Sequence, residues 1–119
     1  MRASGIVFGV IGAGNMGEAI LRGYFKSGNA SDVATCIFDP DTEKCRALER
    51  SLGVKPAATL EALIEQSDIL LIAIKPNVCS HVFSEHFARF SGKAVISIAA
   101  GWGGERLKNA LPADTRILR

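Results

Sequence analysis

The sequence predicts a single α/β domain built on a doubly wound parallel sheet, and three observations carry that prediction. Ile6 to Ile11 and Ile69 to Ile74 are apolar throughout instead of alternating, the pattern of strands covered on both faces. Strand-like runs alternate with amphipathic stretches that carry cap and stop residues, and right-handed crossovers between such units give a parallel sheet with the expected order 3-2-1-4-5-6. The first strand runs directly into a glycine-rich turn, Gly12-Ala13-Gly14-Asn15-Met16-Gly17.

Ile6 to Ile11 is the first strand, and the helix after it spans Asn15 to Ser27. Its face bearing Met16, Ala19, Ile20, Gly23, Tyr24 and Ser27 is predicted to point inward, while Glu18, Arg22 and Lys26 step along the wet face. Gly28-Asn29 is the predicted stop. Val33 to Phe38 forms the second strand; Asp39-Pro40-Asp41-Thr42 then turns and caps a helix from about Glu43 to Leu52, closed by Gly53. Val54 to Ala57 is a short third strand, held to an edge because Pro56 lacks an N–H. Thr59 caps a helix through Gln66, and Asp68 leads into the fourth strand, Ile69 to Ile74. Lys75-Pro76 ends that strand, and a helix from about Asn77 to Phe90 turns Cys79, Val82, Phe83, His86, Phe87 and Phe90 inward. Beyond Gly92-Lys93 come a fifth strand, Ala94 to Ile98, the small-residue turn Ala99-Ala100-Gly101, a helix from Glu105 to Leu111 and a sixth strand, Thr115 to Leu118.

At 119 residues the chain can support one core, burying about two-thirds of the surface its unfolded form exposes. A hydrophobic content of 48 % and a formal net charge of +2 lack the basic excess that nucleic acid or an anionic membrane selects, so neither is an expected partner. No apolar run approaches the ~20 residues that span a bilayer, and the start lacks the marks of a signal peptide, so a cytoplasmic location is expected. Cys36, Cys45 and Cys79 are odd in number and form no CxxC pair; they read as small buried hydrophobes, with neither a disulfide framework nor a metal site expected.

The glycine turn has the strand-turn-helix context that gives GxGxxG its meaning. Gly12 suits the tight turn, Gly14 lets backbone approach a ligand, and Gly17 lets the helix pack on the strand. Free amides at a helix start favour a pyrophosphate, and Asp39 stands at the end of the second strand, about 20 residues past the last glycine, where a ribose hydroxyl acceptor is expected. The signature is that of a Rossmann-like dinucleotide site. In a sheet of this order a ligand lies where the order reverses, which selects three turns: Gly12 to Gly17, Ala73 to Pro76 and Ala99 to Gly101.

Ile11-Gly12-Ala13-Gly14-Asn15-Met16-Gly17-Glu18-Ala19-Ile20, with Ala73-Ile74-Lys75-Pro76 and Ser97-Ile98-Ala99-Ala100-Gly101, resembles pyrroline-5-carboxylate reductase over nearly the whole chain. The resemblance implies the last step of proline synthesis, transfer of hydride from NADPH or NADH to the C=N bond of 1-pyrroline-5-carboxylate. By position it implies that Ile11, Gly12, Ala13, Gly14, Asn15, Met16 and Gly17 serve the pyrophosphate, Asp39 the adenosine ribose, and Ala73, Lys75, Pro76, Ala99, Ala100 and Gly101 the nicotinamide side. Leu60 departs from an asparagine frequent in the family near the adenosine end. An acidic Asp39 favours NADH, while Lys44 or Arg46 nearby could offset its repulsion of a 2′-phosphate, so the choice between NADP and NAD stays open. The family also carries a helical second domain that builds the dimer and much of the imino-acid pocket, and this sequence stops at Arg119. The expectation is therefore a dinucleotide-binding domain over residues 1–119 that is inactive or very weak alone, with any homo-oligomer built through the helical domain.

Each chemically suggestive residue also has a structural role to fill. Lys75 could donate a proton to an imine, or merely terminate a strand, and no catalytic residue is assigned. His86 reads as a satisfied core histidine and His81 as solvated. Trp102 could shield a cofactor or fill a gap in packing, Glu18 could simply favour the helix dipole, and Asp39 could be a turn residue ahead of Pro40. Two other functions fit the same motifs: a related nicotinamide-dependent reductase, acting with a deazaflavin or on a hydroxy acid, and a dinucleotide-binding module that performs no chemistry.

Overall fold

A computed structural model describes residues 5–27 and 33–118. Six parallel strands form one sheet: β1 (Ile6–Ile11), β2 (Val33–Phe38), β3 (Lys55–Pro56), β4 (Ile69–Ile72), β5 (Ala94–Ser97) and β6 (Arg116–Ile117). Their order is β3-β2-β1-β4-β5-β6, as the alternation of strand and helix predicts. Five helices cover the two faces: α1 (Asn15–Lys26), α2 (Thr42–Leu52), α3 (Leu60–Gln66), α4 (Pro76–Glu85) and α5 (Gly104–Ala110).

The strands are apolar on both sides because buried side chains pack against each face of the sheet, in two clusters instead of the one core expected from chain length. On one, Ile11, Cys36, Leu70 and Ile72 pack with Leu63, Phe83, Phe90, Trp102 and Leu107. On the other, Val10, Ile37 and Leu71 pack with Leu21, Cys45 and Leu48. All three cysteines are free and buried. Capping follows the sequence: Asp41 accepts from the Lys44 N–H at the start of α2, Thr59 from the Ala62 N–H at the start of α3, and Gly53 closes α2 in the left-handed conformation at φ 79°. Pro56 is tolerated because β3 is an edge strand.

Several expectations are corrected. The inward face of α1 is Gly17 and Leu21, not the one led by Met16, which is 63 % exposed; Ala19 and Gly23 are exposed too. Gly17 faces in because a Cβ there would stand 2.8 Å from the Gly12 carbonyl oxygen, and that close approach turns the helix by about one residue, roughly 100°. The predicted stop at Gly28-Asn29 lies outside the described residues. β4 ends at Ile72, two residues early: Gly12 turns β1 away at φ 112°, and the last bond from this segment to β1 is the one the Ala73 N–H gives the Ile11 carbonyl. β5 likewise ends at Ser97, and β3 and β6 shrink to two residues each. The helix expected through Phe90 breaks at His86 (φ −115°, ψ 24°) and continues as a 3-10 turn, Phe87–Phe90. Beyond the break Phe87 is 47 % exposed while Phe90 stays fully buried. His86 is buried with its Nε2 3.8 Å from a Glu85 oxygen, but among the described residues its Nδ1 has no hydrogen-bond partner, so it is not the fully satisfied core histidine the sequence suggests. His81 is exposed and pairs with Glu85.

Candidate functional site

The site is built where the sheet order reverses, between β1 and β4. The glycine turn leaves β1, and its path is fixed by backbone contacts: the Gly12 N–H donates to the Phe38 carbonyl at 2.9 Å, and the Ala73 N–H donates to the Ile11 carbonyl at 2.9 Å. A Cβ on Gly12 would stand 2.6 Å from the Ala73 carbonyl oxygen, so only glycine lets the first and second turns touch. Gly17 is confined in the same way beneath Gly12.

Gly14 differs from both. Its φ of −72° and ψ of −177° are open to any residue, and a Cβ built there meets nothing within 4 Å. The fold itself does not need this glycine. The space in front of it adjoins the start of α1, which carries no side-chain cap, so its first amides keep their hydrogen-bonding capacity and the positive end of the helix dipole. Asn15 and Met16 at that start are exposed. A diphosphate fits: two or three N–H donors, the dipole, and room that a Cβ would fill.

Asp39 takes up the turn role that the sequence also offers it. Its Oδ2 accepts from the Ala13 N–H at 2.7 Å and its Oδ1 from the Asp41 N–H at 2.8 Å. The carboxylate therefore ties the glycine turn to the β2–α2 turn, and the Ala13 amide is taken before any ligand arrives. Ile11 is also a support: its side chain is 2 % exposed within the core. A cleft of about 330 Å³ opens beside Asp39 at the ends of β2 and β3, where Thr42, Arg46 and Ala57 line it. Arg46 pairs with Glu43 at 2.9 Å, both ends exposed, a contact that solvent keeps weak. Thr42 and Ala57 were invisible as site residues in sequence because the cleft belongs to no motif and forms only when β3 pairs with β2.

On the other side of the reversal, Lys75 and Pro76 are exposed, Ala73 and Ala99 are half-buried, and Ala100 and Gly101 are exposed. The Lys75 carbonyl accepts from the Val78 N–H at 2.9 Å, while its ammonium has no partner among the described residues. Trp102 is 4 % exposed, so it fills the packing, and its indole N–H donates to the Pro76 carbonyl at 3.1 Å. A larger cleft, about 490 Å³, lies along β6 and α5, bordered by Glu105 and Lys108, and none of its lining residues belongs to the three turns. Among the described residues no three His, Cys, Asp or Glu side chains converge to hold a metal ion.

Residues 7–101 match the family described as NADP oxidoreductase, coenzyme F420-dependent. The pyrroline-5-carboxylate reductase of Escherichia coli K12 is 35 % identical over 112 residues, 93 % of this chain and 42 % of the relative. Among solved structures, a pyrroline-5-carboxylate reductase from Coxiella burnetii superposes with a TM-score of 0.83 at 23 % identity, covering 96 % of this chain and 43 % of that one. The Plasmodium falciparum pyrroline carboxylate reductase with NADP bound superposes at 0.75 and 23 % identity, covering 94 % and 40 %. These two likenesses establish the fold. The chain spans about two-fifths of the length of the curated relative it matches.

Proposed function

The chain belongs to the family of coenzyme F420-dependent NADP oxidoreductases, and from that premise we propose that residues 1–119 are the dinucleotide-binding domain of a pyrroline-5-carboxylate reductase. The observation that carries the proposal is the open space at Gly14 before the uncapped start of α1, at a position where the fold does not require a glycine. The Escherichia coli relative is named for this activity, and the Plasmodium neighbour holds NADP.

In this reading Gly14, Asn15, Met16 and Gly17 meet the pyrophosphate, with Gly12, Ala13 and Ile11 shaping the turn beneath it. Asp39 holds that turn, and the cleft of Thr42, Arg46 and Ala57 takes the adenosine end of NADP or NAD. Ala73, Lys75, Pro76, Ala99, Ala100 and Gly101 border the nicotinamide. The bound reduced nicotinamide supplies a hydride to the C=N carbon of 1-pyrroline-5-carboxylate, the nitrogen gains a proton, and proline results. What this chain contributes is binding and orientation, which account for much of the acceleration in a hydride transfer. The imino-acid pocket and any homo-oligomer belong to a helical domain outside this sequence. In this reading the protein works in the cytoplasm on a small molecule, with neither nucleic acid nor membrane as partner, in keeping with its charge balance. Among the described residues no helix is long and apolar enough to cross a bilayer.

Calorimetric titration of the chain with NADPH and NADH in parallel tests the proposal. Saturable binding of either is expected, with no or very weak turnover of 1-pyrroline-5-carboxylate; absence of both binding events would end it. The family description favours a second reading, a reductase exchanging hydride with a deazaflavin, and turnover assays on the full gene product with both substrates separate the two.

A further inference from the structure

We propose that Trp102 and Arg106 form a strut that positions the nicotinamide side of the site by locking the second and third turns together. The inference rests on the dinucleotide reading above and adds residues that reading does not use. Trp102 directly follows the third turn, and its indole N–H reaches across to the Pro76 carbonyl at the start of α4, 3.1 Å away. Its backbone N–H closes the third turn on the Ala99 carbonyl at 3.1 Å. One side chain thus ties both turns.

The indole is itself clamped. Arg106 of α5 lies over the ring with its guanidinium carbon 3.9 Å from the centroid, and its Nη1 donates to the Gly101 carbonyl at 3.3 Å. Phe83 of α4 packs edge-on beneath at 5.1 Å, backed by Phe90 at 5.5 Å. Gly101 has φ 78°, a left-handed turn whose carbonyl direction the arginine then fixes. Any buried indole needs a partner for its N–H, but here the partner is the carbonyl that opens α4 at the second turn, and a guanidinium joins the ring to the third turn as well. Both residues act through the turns, so they are positioning residues.

The test is ligand dissection by calorimetry on the same chain, with NADPH, NADH and ADP-ribose as probes. Trp102→Phe keeps an aromatic ring and removes the N–H; Arg106→Met, at an exposed position, removes the stacked cation and the Gly101 bond with little burden on the core. Each variant is expected to weaken NADPH and NADH by a factor of about five, the worth of one neutral hydrogen bond, and to leave ADP-ribose within about twofold of wild type. A merely destabilising change would weaken all three alike. Equal loss for all three probes, or no loss for any, overturns the strut while the dinucleotide reading stands. A wild-type chain that binds none of the probes removes the dinucleotide reading and the strut with it.

Discussion

Gly12, Gly14 and Gly17 are identical in chemistry and separated by the structure into two jobs. Gly12 and Gly17 make room for the protein's own backbone, and Gly14 makes room for something else. Gly17→Ala is therefore expected to lower stability by about 1–3 kcal/mol through overpacking against the Gly12 carbonyl. Gly14→Ala should cost no more than about 1 kcal/mol, since only a modest N-cap preference is lost, yet weaken NADPH and NADH at least about tenfold. Thermal unfolding paired with titration checks both, and a Gly14 variant that binds normally would remove the central argument for the site. The motif was legible because spacing is enough to suggest it. The double commitment of Asp39 was not, because the Ala13 and Asp41 amides it binds are backbone groups that every sequence possesses.

Elements show how a correct assignment can still misplace a face. The apolar spacing of α1 suggests a stripe through Met16 and Tyr24, but glycine carries no weight in such a pattern, and the inward direction is set by Gly17. The segment after β4 fails in a related way. Its period of 3.6 is obeyed as far as Glu85; the chain then breaks at His86 (φ −115°, ψ 24°), a redirection that no spacing announces, and beyond it Phe90 is buried and Phe87 exposed. Phe90→Ala is expected to cost about 3–5 kcal/mol by emptying a core position, whereas Phe87→Ser should stay within about 1 kcal/mol. Denaturant unfolding of the two variants measures the difference; similar losses would mean that Phe87 is covered in solution.

For the whole molecule, two cores share one sheet, and each holds a thiol away from water. Burial pushes Cys45 above its usual 9.0, its bond to the Asp39 carbonyl pulling partly back; burial pushes Cys79 up likewise, with Arg106 opposing. In the unfolded chain these thiols ionise first, so the native state binds more protons once the pH passes 9.0, and stability falls as pH rises through that range. Below it both states are protonated and no dependence arises from them. Unfolding midpoints from about pH 7 to about pH 10 should decline more steeply in wild type than in a Cys45→Ala, Cys79→Ala double variant, whose absolute stability is lower. Equal slopes would show that neither thiol is shielded.

The sequence by itself determined the number, type and order of the elements, the sheet topology and the location of the glycine turn. These follow from local rules, since hydropathy period, caps and crossover handedness act over a few residues or on the chain as a string. Tertiary structure alone decided which face of α1 is buried, where β4 and α4 end, what Asp39 binds, that Gly14 faces open space, and that Trp102 spans two turns 26 residues apart. The physical reason is range. Those features depend on the distance between atoms far apart in the chain, and a carbonyl 2.6 Å from a missing Cβ leaves no mark in the order of the residues.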